Sequence, residues 1–401
     1  MPDLTSRLPH ALRRLSFSKG EPVDLEKDNV WLFDNTAFQI GSQDADALEH
    51  RGDDHLVKDH VAHPKAEKGS KLSPPAWQTE IVAAYFIKNS GRDLSVVVAE
   101  VAKKLGIAEG DAARHTIQER ILPFVNTILS HHTIRVSIGD VELQTLGPSN
   151  SCGISSALHN VHVGTHQSAA LTLGVKEDMG SVLEGVTHFA SPTGWGIISD
   201  IDDTIKVTLT PEELGILKST FVDEPEPISG MPELYSHMAS LFSDPPFFYL
   251  SASPYNLYPF LRSFRSQYYP AGTTILRDAS WQNLGGLIAS LTKGVQEYKV
   301  DRIKKIHAWF PSRQFICIGD STQKDPESYG EIARTYPGWV KAIFIRKVSG
   351  VVDPGQPSEA ERNSDERFAK AFKGLDSSLW TVFTDPQEVR QKVDALATNG
   401  L

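Results

Sequence analysis

The chain has 401 residues, 40% of them hydrophobic and 22% charged, which is enough for two or three globular domains. Its formal net charge of −10 argues against a protein that binds nucleic acid, because such proteins are usually basic. The two cysteines, Cys152 and Cys317, form no CxxC pair, so neither a disulfide scaffold nor a zinc site is expected.

The sequence gives no sign of a membrane span. No apolar run approaches the ~18 residues that cross a bilayer, and the N-terminus lacks the apolar core of a secretory signal. We therefore expect a cytoplasmic protein without a transmembrane segment. Residues 4–19 place leucines at helical spacing among arginines, which is typical of a short basic amphipathic helix. Such a helix either packs on the protein's own body or attaches the protein peripherally to an anionic membrane.

The first half of the chain changes character twice. Residues 1–75 are predicted to be an N-terminal segment with a strand-like run at 30–39 and a mobile polar loop at 41–75. Residues 76–131 are predicted to be helical, from WQTEIVAAYFIKNSG through DLSVVVAEVAKKLG to a helix interrupted at Pro123. Residues 132–191 are predicted to form a small β-rich accessory domain, because TIRVSI, VELQTL, NVHVGT and AALTLGV are short runs separated by turn residues.

Residues 192–401 alternate apolar strands with helical segments, which predicts an α/β fold. The strands are GIIS, FFYLS, FICIG, VKAIFI and WTVF, and the helical segments are NLYPFLRSFRSQYY, VDRIKKIHAWF, PESYGEIARTY and PQEVRQKVDAL. Nearly continuous apolar strands indicate a parallel sheet with helices on both faces.

Polar residues follow three of these strands, at the edge where open parallel sheets bind ligands. They are Asp200, Asp202, Asp203 and Thr204 after GIIS, Ser251 and Ser253 on either side of Ala252 after FFYL, and Asp320, Ser321 and Asp325 after FICI. Lys299 lies at the start of the helix that leads into FICIG. We expect all of these residues to converge on one rim of the sheet.

Carboxylates packed this closely repel one another or take up protons unless a cation holds them together. The candidate ligands, Asp200, Asp202 and Asp320, offer only oxygen, with no histidine or cysteine beside them. Hard oxygen ligands suit Mg²⁺, which binds through one or two carboxylates and a substrate phosphate. Asp200 and Asp320 are the natural pair, because they follow strands that we expect to be neighbours.

The same residues suggest a phosphoryl transfer. Asp200 is the candidate nucleophile, since a carboxylate can attack phosphorus and form an aspartyl-phosphate. Asp202, two residues further, is the candidate general acid and base. Lys299 and Ser251 are expected to bind the phosphoryl oxygens, and Thr204 and Ala252 complete the phosphate-binding candidates. Asp325 and Ser321 are expected to support the site.

Several assignments have competitors in the sequence. Ser253 competes with Ser251, and Lys304 and Lys305 compete with Lys299, which lies closer to the strand ends. Asp203 is expected to be a loop residue, because strand alternation turns it away from Asp200. Arg277 either clamps the substrate or forms an ordinary ion pair.

Residues 190–345 resemble the catalytic domain of the haloacid dehalogenase superfamily, and specifically the actin-patch-type phosphatidate phosphatase family. The matching pieces are SDIDDTIKVT (199–208), FFYLSASP (247–254), ILRD (275–278), YKVDRI (298–303) and FICIGDSTQKDPESYGEIA (315–333). VWLFDNTAF and PAWQTEIVAAYF, further upstream, also resemble fungal members. Two positions depart from the family pattern, with Thr322 where a glycine is usual and Tyr298 where a histidine is common.

The resemblance implies a Rossmannoid catalytic domain over residues 192–401. It also implies Mg²⁺-dependent hydrolysis of phosphatidate to diacylglycerol and phosphate, with Asp200 as nucleophile and Asp202 as acid and base. Ser251 and Lys299 would then bind phosphate, and Asp320 would bind Mg²⁺ with support from Asp325.

Two other functions stay open at this stage. One is a phosphatase of the same superfamily that acts on a soluble phosphomonoester or a phosphoprotein. The other is a non-catalytic membrane or cytoskeletal adaptor. The expected partners are a phospholipid at a membrane surface and cytoskeletal or endocytic proteins, although the sequence ends without the proline-rich tail that recruits SH3 domains. The apolar run at 284–291 is either a lipid contact or a buried helix.

Overall fold

The computed structural model describes residues 20–40, 77–88, 95–108, 112–139, 141–161, 169–175, 180–278, 294–351 and 357–399. The predictions for the amphipathic helix at 4–19, the polar loop at 41–75 and the apolar run at 284–291 lie outside these residues. Within them, every helix is too short or too polar to span a bilayer.

The first half of the chain builds a ten-stranded mixed sheet in the order β1-β5-β8-β10-β3-β4-β2-β9, in which β6 pairs with β5 and β7 with β4. Its strands are β1 Glu21–Pro22, β2 Asp28–Leu32, β3 Asn35–Gln39, β4 Trp77–Ile87, β5 His132–Ile138, β6 Val141–Leu146, β7 Ile154–Val161, β8 Ala170–Gly174, β9 Val182–Leu183 and β10 Gly185–Phe189. We call it the mixed sheet.

The second half builds a six-stranded sheet in the order β13-β12-β11-β14-β15-β16, and every neighbouring pair is parallel. Its strands are β11 Trp195–Asp200, β12 Phe247–Pro254, β13 Thr273–Arg277, β14 Gln314–Asp320, β15 Val340–Arg346 and β16 Trp380–Phe383. All five predicted strands are present, and β13 was not predicted as a strand. We call this the parallel sheet.

The described residues contain ten α-helices, of which eight belong to the second half. They are α1 Ser95–Lys104, α2 Ala113–Val125, α3 Glu213–Phe221, α4 Met231–Leu241, α5 Tyr258–Tyr268, α6 Val295–Trp309, α7 Asp325–Thr335, α8 Glu359–Arg362, α9 Asp365–Ala371 and α10 Gln387–Asn399. Short 3₁₀ turns occupy Tyr255–Leu257 and Ser377–Leu379. The four predicted helical segments after residue 192 correspond to α5, α6, α7 and α10.

The parallel sheet is buried on both faces, as its apolar strands predict. Ile197 and Tyr249 belong to the hydrophobic cluster that also contains side chains of α1 to α5. Ile198 and Phe248, which are adjacent to Ile197 and Tyr249 in the same strands, belong to a second cluster with side chains of α6, α7 and α9. Because successive residues of a strand point to opposite faces, this division requires helices on both sides of the sheet. The α/β architecture is therefore confirmed.

The prediction of helix at the start of residues 76–131 was wrong. Trp77–Ile87 is the long strand β4, which pairs with β2, β3 and β7, and helix begins only at Ser95. The mixed sheet thus contains β2, β3 and β4 as well, so the β-rich layer is larger than residues 132–191. Within those residues, the predicted strands at 133–138, 141–146 and 169–175 are present. Of the run at 160–165, Asn160 and Val161 belong to β7, and residues 162–165 lie outside the described residues.

Candidate active site

The carboxyl ends of β11, β12 and β14 lie side by side in the middle of the parallel sheet. β11 pairs with β12 on one side and with β14 on the other, and Asp200 lies opposite Leu250. The chain enters the sheet at β11, adds β12 and β13 on one side, and then crosses to add β14, β15 and β16 on the other. This reversal of strand order is where open α/β sheets bind ligands.

Three aspartates meet at this point. Asp200, Asp320 and Asp325 are buried, and each offers one carboxylate oxygen, all within 4.8 Å of one another. We call these three residues the acid cluster. Thr204 joins two of them, since its hydroxyl donates to Asp200 Oδ2 and to Asp320 Oδ2 at 3.2 Å each. The prediction that strand ends bring position 200 next to position 320 is confirmed.

Lys299 is the cation of the site. It lies in α6, is fully buried, and donates from Nζ to Asp200 Oδ1 at 2.5 Å and also to Asp325. Burial alone would lower the pKa of Lys299, but the charges of Asp200, Asp325 and Asp320 outweigh it and raise that pKa. Its competitors lie elsewhere, because Lys305 pairs with Glu80 and Lys304 lies 4.0 Å from Glu331.

The electrostatics of the acid cluster fit a bound cation. Burial, followed by the charge of Asp325, raises the pKa of Asp200 well above its usual value and that of Asp320 to about 6. Lys299 brings a single positive charge to three buried carboxylates, so a further cation would lower these pKa values and stabilise the ionised forms. The donors are oxygen atoms throughout, which suits a hard ion such as Mg²⁺.

Asp202 lies beside the acid cluster, where three hydroxyl groups hold its carboxylate. Its Oδ2 accepts hydrogen bonds from Ser251 Oγ at 2.5 Å and from Ser253 Oγ at 3.4 Å, and its Oδ1 accepts one from Thr208 Oγ1 at 3.0 Å. These hydroxyls turn the Asp202 carboxylate toward β12. Asp325, which the sequence assigned a supporting role, lies with Asp200 and Asp320 in the acid cluster, and the role of Asp202 as a metal ligand stays a prediction.

Asp203 holds the loop that follows β11. It has a positive φ of 57° and accepts hydrogen bonds from the backbone N–H groups of Thr208, Leu209 and Thr210 at 2.7–3.0 Å, and from the Thr210 hydroxyl at 2.6 Å. Its carbonyl accepts two more from Arg346. This agrees with its expected role as a loop residue.

Three other predicted residues support the site or lie beside it. The Ser321 hydroxyl accepts a hydrogen bond from Val348 N at 3.0 Å, which fixes the loop after β14. Ala252 is buried within β12 between the two serines. Arg277 donates to the Gly294 carbonyl at 2.8 Å, and its guanidinium lies 5.1 Å from the centre of the Tyr298 ring. Tyr298 directly precedes Lys299 in α6.

Sequence reasoning missed Lys206, which is buried beside the site. Its Nζ donates to the Val207 carbonyl at 3.1 Å and to Thr208 Oγ1 at 3.3 Å, and Thr208 in turn contacts Asp202. Burial lowers the pKa of Lys206. The sequence signal, a lysine within IKVT, is too common to single out, because most lysines are solvent-exposed.

Comparison with known proteins agrees with this geometry. Residues 195–347 match the family described as the catalytic domain of phosphatidate phosphatase APP1. The chain is 32% identical over 162 residues to phosphatidate phosphatase APP1 of Saccharomyces cerevisiae, a match that covers 40% of this chain and 27% of that protein. It is 26% identical over 158 residues to an uncharacterized protein of Schizosaccharomyces pombe, covering 39% of this chain and 25% of that protein.

The matched region thus spans about a quarter of the length of either relative. The family match at 195–347 runs from the first residue of β11 to just beyond β15, and therefore contains every residue of the acid cluster together with Lys299 and Asp202. Residues 195–347 are thus similar to the catalytic domain of APP1-type phosphatidate phosphatases.

Proposed function

We propose that this protein is a Mg²⁺-dependent phosphatidate phosphatase, which hydrolyses phosphatidate to diacylglycerol and phosphate through an aspartyl-phosphate intermediate. The observation that carries the proposal is the acid cluster, with three buried carboxylates that offer oxygens within 4.8 Å of one another at the switch point of a parallel sheet. We assign the catalytic domain to the haloacid dehalogenase superfamily on the same grounds, together with the pieces of sequence that resemble it.

Asp200, Asp320 and Asp325 would hold Mg²⁺. The bound ion would neutralise charge on the phosphoryl oxygens during transfer. Thr204 contributes to the same function, because its hydroxyl fixes one oxygen each of Asp200 and Asp320 at 3.2 Å.

Asp200 is the proposed nucleophile. One of its carboxylate oxygens forms the new bond to phosphorus as the bond from phosphorus to the diacylglycerol oxygen breaks. Lys299, which donates to Asp200 Oδ1 at 2.5 Å, keeps this carboxylate oriented, and its positive charge opposes the rise in the pKa of Asp200. Ser251, Ala252 and Thr204 line the same strand ends and are the proposed contacts for the phosphoryl oxygens, with Lys299 as the countercharge.

Asp202 is the proposed general acid and base. It gives a proton to the departing diacylglycerol oxygen, then takes one from the water that attacks the aspartyl-phosphate and releases inorganic phosphate. Its position supports this role, because Ser251, Ser253 and Thr208 hold the carboxylate beside the acid cluster rather than within it. Arg277, which lies 5.1 Å from the centre of the Tyr298 ring, is a candidate for contacts with the rest of the substrate.

We also propose a cytoplasmic location with peripheral contact to membranes. The lipid nature of the substrate requires access to a bilayer surface, and Cys152 and Cys317 are both free thiols, as in proteins of reducing compartments. Cytoskeletal or endocytic partners, predicted from the family resemblance, stay a prediction.

The test is a substrate panel with the purified chain. Phosphatidate in mixed micelles, lysophosphatidate, diacylglycerol pyrophosphate and a chromogenic aryl phosphate are each offered with Mg²⁺ and with EDTA, and released phosphate is measured. We expect Mg²⁺-dependent hydrolysis with phosphatidate preferred. Preference for the aryl phosphate would favour a soluble phosphomonoester instead, and the absence of hydrolysis with every substrate would overturn the catalytic assignment.

A further inference from the structure

Helix α9 lies outside the family match at 195–347, yet one of its side chains contacts the loop that joins two residues of the acid cluster. The loop consists of residues 321–324, which join Asp320 at the end of β14 to Asp325 at the start of α7. We call it the metal loop. Arg367 of α9 is largely buried, with 17% of its side chain exposed, and its guanidinium lies against this loop.

All five N–H groups of the Arg367 guanidinium are used. Nη1 donates to the Ser321 carbonyl at 2.6 Å and to the Arg362 carbonyl at 3.0 Å, Nη2 donates to the Gln323 carbonyl and to Glu327 Oε2 at 3.0 Å, and Nε donates to Glu327 Oε1 at 3.0 Å. An arginine has exactly this number of side-chain donors, in a planar fork. A lysine, with one ammonium at the end of a flexible stem, cannot reproduce the pattern.

Two of the three carbonyls that accept from Arg367, those of Ser321 and Gln323, belong to the residues on either side of Thr322. The Thr322 backbone N–H and hydroxyl both donate to Asp320 Oδ1, while the other Asp320 oxygen accepts from Thr204. Fixing the Ser321 and Gln323 carbonyls therefore fixes the direction of the Thr322 N–H. This in turn fixes the Asp320 carboxylate relative to Asp200 and Asp325.

Arg367 is itself held in place by the packing of α9. Its backbone N–H donates to the Ser364 hydroxyl at 3.2 Å, which caps the helix. The following residue, Phe368, is buried in the same hydrophobic cluster as Ile332 of α7. A side chain on Gly330 would collide with the Ala371 carbonyl, so a glycine at 330 lets α7 and α9 approach closely.

We propose that Arg367 is a positioning residue for the metal loop, and that it sets the affinity of the acid cluster for Mg²⁺. Substitution of residues that orient metal ligands without binding the metal themselves commonly lowers metal affinity by 10-fold to 100-fold. The inference rests on the proposed function, because it requires that the acid cluster binds the ion.

The test measures Mg²⁺ binding to the purified full chain by calorimetry, and the Mg²⁺ concentration for half-maximal phosphatase activity. In Arg367→Gln we expect both constants to rise by about tenfold. The maximal rate at saturating Mg²⁺ should fall much less, since Arg367 acts through the loop. Arg367→Lys should behave like Arg367→Gln, because a lysine keeps the positive charge but cannot form the five hydrogen bonds of the planar guanidinium.

Arg334→Gln is the matched control. Arg334 lies in α7 and donates to the carbonyls of Ala371 and Lys373, so it joins the same two helices without contacting the metal loop's carbonyls through these bonds. We expect Arg334→Gln to lower thermal stability while its Mg²⁺ constants stay native. If it changes those constants as much as Arg367→Gln does, Arg367 has only a general structural role.

Glu327→Gln provides an independent variant if Arg367→Gln folds poorly. It removes the carboxylate that accepts two of the five hydrogen bonds, so it should raise the Mg²⁺ constants in the same direction. Native Mg²⁺ constants in either folded variant would overturn this inference alone. Absence of Mg²⁺ binding by the unmodified chain would overturn the proposed function as well, so the two failures are distinguishable.

Discussion

Asp200 is buried among other carboxylates, and its substitution by asparagine should separate its chemical role from its effect on stability. We expect Asp200→Asn to lower phosphatase activity by about 10³-fold or more, because an amide cannot form the acyl-phosphate bond. The free energy of unfolding without metal should stay the same or rise. The neutral side chain removes repulsion with Asp325, Asp320 and Asp202, and Lys299 keeps its bond to Asp325. Phosphate release and denaturant unfolding in EDTA measure the two effects.

Asp203→Asn is the matched control at the neighbouring buried carboxylate. Both oxygens of Asp203 face N–H or O–H donors, so an amide nitrogen at either position leaves donors facing one another. We expect this variant to lose about 1–3 kcal/mol of stability, the cost of an unsatisfied buried polar group. Substantial activity in Asp200→Asn would mean that the nucleophile is a different residue.

Gly319 makes room for Asp325, and a methyl group at this position should disturb the acid cluster. A Cβ on Gly319 would lie 2.5 Å from Asp325 Cβ and 2.6 Å from its Oδ2, both too close for van der Waals contact. We expect Gly319→Ala to push Asp325 away, raise the Mg²⁺ concentration for half-maximal activity, and lower stability by about 1–3 kcal/mol. Mg²⁺ titration of the activity, with thermal unfolding, checks the prediction.

Gly272→Ala tests whether such an effect is specific to the site. Its Cβ would collide with the Phe247 carbonyl at the amino end of β12, at the opposite edge of the parallel sheet from the acids. This variant should lose a similar amount of stability but keep a native Mg²⁺ requirement. An equal change of that requirement in both variants would contradict a local role for Gly319.

At the scale of elements, the sequence predicted five strands of the parallel sheet correctly and β4 incorrectly. All of these strands are apolar runs without a clear period, so the prediction depended on what surrounds each run. In the parallel sheet, each short apolar run is bounded by turn residues and alternates with a helical segment. β4 is also buried on both faces, with Ile81, Ala83 and Tyr85 in one hydrophobic cluster and Ala84 and Phe86 in another. A continuous apolar run of this kind has no period that separates strand from helix. Residues 77–87 form a strand because they pair with β2, β3 and β7, which are distant in sequence.

The candidate site shows the same limit. That Asp200, Ser251 and Asp320 converge follows from the rule that parallel strands end at one edge, and the structure brings these strand ends together. The sequence also placed Asp325 at this rim, but its membership of the acid cluster itself, and the contact of Arg367 with the metal loop, depend on how that loop folds and on how α9 packs against α7. These arrangements arise from hydrogen bonds between residues far apart in sequence, such as Arg367 with Ser321. Periodicity and spacing carry no information about them.

At the scale of the whole molecule, a buried ion cluster joins the mixed sheet to the parallel sheet. Asp34, between β2 and β3, is 1% exposed and accepts hydrogen bonds from Arg262 and Arg265 of α5 at 2.6–3.0 Å. It also accepts one from Val186 N at 2.9 Å. Beside it, Phe33 stacks on Tyr258 with ring centres 3.8 Å apart. The mixed sheet is therefore fixed on α5, which packs on the parallel sheet, through charge as well as apolar contact.

Asp34→Asn should weaken this attachment without altering the acid cluster. Removing one partner of a buried ion pair leaves charge without compensation, here on Arg265, so we expect a loss of about 3–5 kcal/mol in the free energy of unfolding. The maximal rate of the folded enzyme should stay native, because Asp34 contacts α5 and β10 rather than the strand ends that carry the acids. Denaturant unfolding and phosphate release measure both quantities.

Glu80→Gln is the control that shows whether burial of the ion pair causes the loss of stability in Asp34→Asn. Glu80 of β4 pairs with Lys305 of α6 across the same boundary between the sheets, but its side chain is 13% exposed and that of Lys305 is 35% exposed. Solvent reaches this pair, so its loss should cost at most about 1 kcal/mol. If Asp34→Asn costs no more than Glu80→Gln, the buried cluster contributes little, and apolar packing such as that of Phe33 on Tyr258 holds the mixed sheet in place.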